Sequence, residues 1–397
     1  MKALSKKNLG IEESMTLAIT AKAKQLKESG VNIVSFGAGE PDFNTPKNIR
    51  DYAIARIEKG GNGYTAASGL IELKKAICAK LLKDNNLTYA PNQIVVSSGA
   101  KHSLFNALQT ICNPDDEVII PSPYWVSYYE LTKMADAEPV LVEGAASNSF
   151  KVTVAQLEAA VTEKTKALLI NSPNNPTGAV YTEEELRAIG AFATKHDLYI
   201  ISDEIYEKLI YGEKHVSIAS LSQDLYERTI VVNGLSKAYA MTGWRIGYTA
   251  CSTTITKVMS NIQSHATSNP NTIAQYAGIE ALSGDQTPIE EMRVAFEERK
   301  DYMVKTIGEI SNVSCVAPKG AFYVMVNISH YKGKTVEGVL VKDSLDLAAV
   351  LIDQANIAVI PGIAFGVDDY IRLSYATSME NIIEGLKRLN DFCVKYA

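Results

Sequence analysis

Cysteine is scarce and scattered in this sequence: Cys78, Cys112, Cys251, Cys315 and Cys393 are odd in number and contain no C-x-x-C pair. That spacing excludes a disulfide framework or a zinc ribbon, and free thiols in a reducing compartment are expected. Histidine is equally sparse. His102, His196, His215, His265 and His330 form no HxH or HExxH pattern, so no metal centre is expected. No apolar run approaches the ~20 residues that cross a bilayer, and the opening MKALSKKNLGIEES lacks the apolar stretch of a secretion signal. A cytoplasmic location without membrane association follows as the expectation. Basic runs are missing too, and 39 Lys and Arg against 45 Asp and Glu give a net charge of −6. Such a balance argues against a nucleic-acid partner. GAGE (37–40) is not a dinucleotide fingerprint, and no Walker lysine motif or internal repeat occurs.

What remains is a chain of 397 residues, 46% hydrophobic and 21% charged. Single cores stop growing near ~250–300 residues, so two domains are expected. Short apolar runs alternate with amphipathic stretches in the middle of the chain: QIVVSS (93–98), EVIIP (117–121), PVLVE (139–143), KALLIN (166–171), LYIISD (198–203), TIVVNG (229–234) and RIGYTA (245–250). Several are continuous rather than alternating, as strands covered on both faces are. Thr182 followed by Glu183, Glu184 and Glu185 reads as a capping box opening a helix. The fold class predicted is α/β, with a mostly parallel seven-stranded sheet between helices over residues 46–285. Residues 286–397 read as a smaller α+β domain, which the N-terminal segment 1–45 joins.

The polar residues that matter fall at the strand ends, where open α/β sheets bind ligands. Those ends carry Gly99-Ala100-Lys101, Tyr124-Trp125, Asn174-Asn175-Pro176, Asp203-Glu204-Ile205-Tyr206 and Ser236-Lys237. Together they supply a lysine, an acid, a phenol, an amide, an indole and a helix opening suited to phosphate, which are the groups a pyridoxal cofactor needs. Lys237 follows a strand and a glycine turn; Ser236 and Arg245 flank it with a hydroxyl and a forked cation that suit a phosphate dianion. Asp203 ends a buried strand, where a carboxylate is costly without a partner. SSGAKHS (97–103) follows a strand and opens a helix, a natural anion site.

The string GLSKAYAMTGWRIGY (234–248), with the motifs above, resembles the fold-type I pyridoxal-phosphate aminotransferases, specifically the aspartate aminotransferase family. The resemblance runs from FGAGEPDF (36–43) to IRLSYATS (371–378). It implies that Lys237 carries pyridoxal 5'-phosphate covalently and acts as the catalytic base, with Asp203 and Tyr206 as catalytic partners. Asp203 would meet the ring nitrogen, Tyr206 and Asn175 the phenolic oxygen, Trp125 one ring face and Ile205 the other. Gly99, Ala100, Lys101, Ser236 and Arg245 would hold the phosphate. Tyr64 would reach the phosphate of a neighbouring subunit, so the resemblance implies a homodimer with shared active sites. Arg372 would clamp the substrate α-carboxylate beside Gly39, and the Asn175–Pro176 peptide would be cis.

Amino acid and 2-oxo acid substrates follow from the same resemblance. QSHATSNPN (263–271) has no arginine where some relatives contribute one from the partner subunit, and Ser264 stands there instead. The stretches MTLA, GEPDF, PYWVSY and SDEIYE resemble a bacterial subgroup with aspartate or prephenate activity, in which a lysine at the position of Lys101 is associated with the distal carboxylate. The expected reaction is amino transfer from L-aspartate to 2-oxoglutarate, with Lys101 and Thr16 reading the acidic end. Aromatic, alanine or prephenate specificity, or a C–S β-lyase on the same fold, are the alternatives.

Overall fold

The computed structural model describes residues 2–397. Its main sheet is built from β1 (Ile94–Ser97), β2 (Glu117–Ser122), β3 (Glu138–Glu143), β4 (Thr165–Asn171), β5 (Tyr199–Asp203), β6 (Thr229–Gly234) and β7 (Gly247–Ala250). The order is β1-β7-β6-β5-β4-β2-β3, and β7 alone runs antiparallel to its neighbours. Why the runs are continuously apolar is visible in β4. Ala167 and Leu169 point to one face and pack with helices α1 (Ala100–Ile111) and α3 (Thr253–Ala266); Leu168 and Ile170 point to the other and pack under α2 (Glu183–Lys195). With a period of two and helices on both sides, each position from Ala167 to Ile170 is core. The capping box at Thr182 forms as expected, Thr182 Oγ1 accepting from Glu185 N and Glu185 Oε2 from Thr182 N.

The reversed strand has a consequence for the site. All strands but β7 end at the same edge, so β7 begins there, with Gly247 opposite both Ser97 and Gly234. The strand expected from Arg245 therefore starts two residues later, because Arg245 adopts a left-handed φ of 57° and turns out of the sheet. Gly247 has no alternative: a Cβ there would lie 2.2 Å from the Ala100 amide nitrogen.

Beyond α4 (Thr287–Glu309), strands β8 (Ser314–Cys315), β9 (Tyr323–Asn327), β10 (Ile360–Pro361) and β11 (Tyr370–Ser374) form a second sheet, ordered β10-β11-β9-β8 and antiparallel throughout. Helices α5 (Ser344–Ala355) and α6 (Met379–Lys395) cover it. The N-terminal segment packs here too: Val34–Ser35 pairs parallel with Ile357–Ala358, and Phe36 is buried among these residues. The same apolar cluster includes Ile205, Tyr206, Leu209 and Tyr211 from just after β5. The edge of the main sheet and the second sheet thus share one core, and the cleft lies at their junction. Among the described residues no helix is long and apolar enough to cross a membrane.

Candidate active site

A cleft of about 460 Å³ opens at the shared edge, lined by Lys237, Asp203, Tyr206, Asn175, Trp125 and Arg372 together with Thr16, Gly39, Ala100, Lys101, Ser236 and Arg245. Lys237 reaches it from the turn after β6, and its Nζ donates to the Gly39 carbonyl at 2.5 Å. Burial pushes the amine down to about 8, opposed by the Glu40 charge and helped by Arg372 and Arg245. An amine so placed holds about a tenth of its population as free base at neutral pH, which a solvated lysine does not.

Asp203 closes β5 and is 3% exposed. Its Oδ2 accepts from Tyr128 OH at 2.7 Å and its Oδ1 from the Ile205 amide at 3.2 Å. Burial raises its carboxyl to about 6 against the lowering effect of those bonds. Among the described residues no cation stands within ion-pair distance of it. Tyr206 is buried beside it, its OH sharing a 3.1 Å hydrogen bond with Tyr323 OH, and burial drives its phenol far above the ordinary range.

Arg372, the middle of β11, is 2% exposed. Nη1 donates to Asn175 Oδ1 and Nη2 to the Gly37 carbonyl, both at 3.1 Å, and the guanidinium lies over Tyr323 and Phe365, 4.3 and 5.0 Å from the ring centroids. Its Nε has no partner, and no carboxylate pairs with it among the described residues. A buried guanidinium with an idle donor and only neutral acceptors is prepared for an anion from outside. Asn175 is fixed in turn: its backbone N–H donates to Asn171 Oδ1 at 2.8 Å, and the peptide to Pro176 is cis.

At the far end, Gly99 caps the N-terminus of α1 with φ 85°, and a Cβ on it would sit 2.3 Å from Arg245 Nη2. Arg245 is anchored by Nη1 to the Thr242 carbonyl (2.9 Å) and Nη2 to the Ser98 carbonyl (3.3 Å). The free amides of α1, Ser236 and this arginine form an anion cradle. Lys101 sends its exposed side chain the other way, its Nζ 4.9 Å from the Trp125 ring centroid, and Trp125 packs edge-on to Tyr128. Thr16 shares a 2.9 Å hydrogen bond with Ser14 at the cleft mouth.

Tyr64 does not join this assembly: it is 94% exposed and outside the cleft. Conversely, the cleft residues that escaped the sequence reading include Tyr128, Tyr323, Asn171 and Glu40, whose Oε2 accepts from Thr242 Oγ1 at 2.7 Å. Twenty tyrosines offer no local signal for which face inward. The position of Asn171 at the end of β4 was the only usable hint.

These donors and acceptors fit pyridoxal 5'-phosphate: a lowered lysine amine, a buried acid lacking a cation, a phenol and amide between them, and an anion cradle at the opposite end. The comparisons agree. A family model described as "Aminotransferase class I and II" matches residues 31–389. The chain is 49% identical to an aspartate aminotransferase of Bacillus subtilis over 99% of its own length and 100% of that protein. It is 45% identical to an aspartate/prephenate aminotransferase of Nitrosomonas europaea, covering 97% of this chain and 98% of the relative. Among solved structures, the aspartate aminotransferase of Thermus thermophilus with maleate superposes at a TM-score of 0.93 with 39% identity, over 98% of this chain and 100% of that one.

Proposed function

This chain belongs to the class I and II aminotransferases, and from that premise we propose that it moves the amino group of L-aspartate to 2-oxoglutarate, giving oxaloacetate and L-glutamate. It is an enzyme of amino acids and 2-oxo acids, and its cofactor is pyridoxal 5'-phosphate. When bound, the cofactor supplies a carbonyl carbon that lysine and substrate amines attack in turn, and a ring that accepts the electrons left by a Cα proton.

The residues divide the remaining work. Lys237 Nζ would hold the cofactor and, once free, is the amine placed to take the proton from the substrate Cα. Asp203 would keep a proton on the ring nitrogen, and Tyr206 and Asn175 would hold the phenolic oxygen. Trp125 and Ile205 would cover the two ring faces. Gly99, Ala100, Ser236 and Arg245 would fix the phosphate. Arg372 grips the α-carboxylate with its fork, Asn175 and Gly39 setting the angle. The two roles foreseen for Lys101 separate: its backbone amide belongs to the helix opening, while its ammonium, over Trp125, meets the distal carboxylate with Thr16. Tyr64 completes the phosphate site of a second copy, so the working form is a homodimer, placed in the cytoplasm.

The observation that carries this reading is Arg372, buried with an idle Nε and no carboxylate of its own, across the same cleft from an amine at about 8. Incubation of the holoenzyme with 2-oxoglutarate and a panel of amino donors tests it. Aspartate is expected to give glutamate and oxaloacetate in equal amounts, and Lys101→Ser to reduce efficiency for aspartate far more than for alanine. Pyruvate and ammonia released from cysteine conjugates without an oxo acid would mean a lyase instead; equal losses for both donors would confine Lys101 to the phosphate. The name of the Nitrosomonas relative supports a second substrate, prephenate, which belongs in the same panel as an acceptor.

A further inference from the structure

Residues 60–70 have no regular secondary structure beyond a turn, yet they are pinned by two glutamines that are 0% exposed. Gln275, in the helix Thr272–Ser283, accepts from the Leu70 amide at 2.7 Å and donates from Nε2 to Thr65 Oγ1 at 3.2 Å and to the Pro270 carbonyl at 2.8 Å. Gln263, in α3, donates from Nε2 to the Ala67 carbonyl at 2.6 Å and to the Val96 carbonyl at 2.8 Å. Its Oε1 accepts from Ser97 Oγ at 2.7 Å and Asn106 Nδ2 at 3.0 Å. The Ser68 carbonyl accepts from the Val96 amide at 3.0 Å. Gly69 takes φ +103°, and a Cβ there would fall 2.6 Å from Val96 Cβ.

Burying two primary amides is unfavourable unless their donors and acceptors are engaged, and here both ends of each are. Ordering a coil also costs about 1–2 kcal/mol per residue. A single copy gains little from that order, because the tip residue, Tyr64, is 94% exposed and makes no hydrogen bond or ring contact among the described residues. A rigid loop with an unsupported aromatic tip is built to present that tip to another body.

We infer that Gln275 and Gln263 are positioning residues for the active site of a second copy of this chain: they lock the 65–70 loop so that Tyr64 projects at a fixed angle toward the partner's phosphate cradle. The inference rests on the role given to Tyr64 above. Gln263 also touches Val96 and Ser97, just ahead of the chain's own Gly99, so its loss disturbs the cradle in its own copy as well. The side-chain hydrogen bonds of Gln275 reach only the loop and Pro270, at the entry to its own helix, which makes it the cleaner probe.

The test measures the dissociation constant of pyridoxal 5'-phosphate itself, from the absorbance of the lysine-bound form, in Tyr64→Phe, Gln275→Met and the milder Gln275→Glu dimers. Each is expected to bind about tenfold more weakly, the worth of one or two hydrogen bonds. A hybrid dimer then pairs a Gln275→Met chain with a Lys237→Ala chain. Its one lysine-bearing site receives Tyr64 from the chain with an intact clamp, so wild-type affinity is expected to return there. A deficit that persists in the hybrid means Gln275 acts within its own chain, and unchanged affinity in both Gln275 variants alongside a weakened Tyr64→Phe dimer means the loop needs no clamp; either overturns the proposal. If Tyr64→Phe itself binds normally, the role of Tyr64 is what fails.

Discussion

Replacing Asp203 with Asn should stabilise the cofactor-free protein at pH 8 relative to low pH while impairing the enzyme. The carboxyl is 3% exposed and stands at about 6, against an ordinary value of 3.8. The folded chain therefore binds this proton more tightly than the unfolded chain. Stability attributable to it is complete below about pH 4 and declines as the pH rises to about 6, since over that window the unfolded state releases the proton first. Roughly two units of displacement correspond to about 3 kcal/mol at pH 8, of which about 2 kcal/mol separates pH 8 from pH 4.5. Asn is nearly isosteric and can still accept from Tyr128, so the pH-dependent part is isolated. Denaturant unfolding of apo wild type and Asp203→Asn at the two pH values measures it. The wild type should lose about 2 kcal/mol more than the variant on going to pH 8, and this excess should vanish in the holoenzymes, where, on the role proposed for Asp203, the ring nitrogen would supply the missing cation. Parallel pH profiles for the two apo forms would refute the argument.

Arg372→Lys replaces a fork by a point charge and leaves Asn175 and Gly37 a single nitrogen to share; kcat/KM should fall by about 10²-fold or more for every amino acid tested, because the α-carboxylate is common to all. A loss confined to dicarboxylic substrates would move Arg372 to the distal group. Away from the cleft, His215 Nε2 lies 3.2 Å from Glu204 Oε2 in a buried network with Glu207 and Lys80. Burial works against its charged form, but Glu204 and Glu207 prevail and raise it above the usual 6.5. Its contribution is thus complete below pH 6.5 and lost as the pH climbs through the raised value. Thermal unfolding of His215→Gln should accordingly show its largest deficit near pH 6 and a smaller one at pH 9; a constant deficit would mean the imidazole is neutral throughout.

Most of the main strands were legible because a strand covered on both faces is apolar along most of its length, as β4 is from Ala167 to Ile170 and β5 from Tyr199 to Ile201; the edge strand β3, half exposed, was legible from its short run PVLV (139–142) between two glutamates. Lys237, Asp203 and Arg245 were legible for a related reason. Lys237 and Asp203 sit where such a run stops, at the edge of a parallel sheet where a cleft forms, and Arg245 stood out as a forked cation in the string that follows Lys237. Tyr128 and Tyr323 were not, since a tyrosine in a helix or a buried strand looks the same whether its hydroxyl meets a cleft residue or the core.

The sequence by itself determined the strand set, the helix openings and the chemical inventory of the cleft, because hydrophobic period, capping and strand-end placement are local properties. Only the tertiary structure decided that β7 runs backwards and so delivers Arg245 to the cradle, that Arg372 is buried without a counter-ion, and that Gln263 and Gln275 tie down a loop almost 200 residues earlier (an offset of 196 for Gln263 to Ala67). Burial and long-range pairing depend on what packs from elsewhere in the chain, and no window of neighbouring residues contains that information.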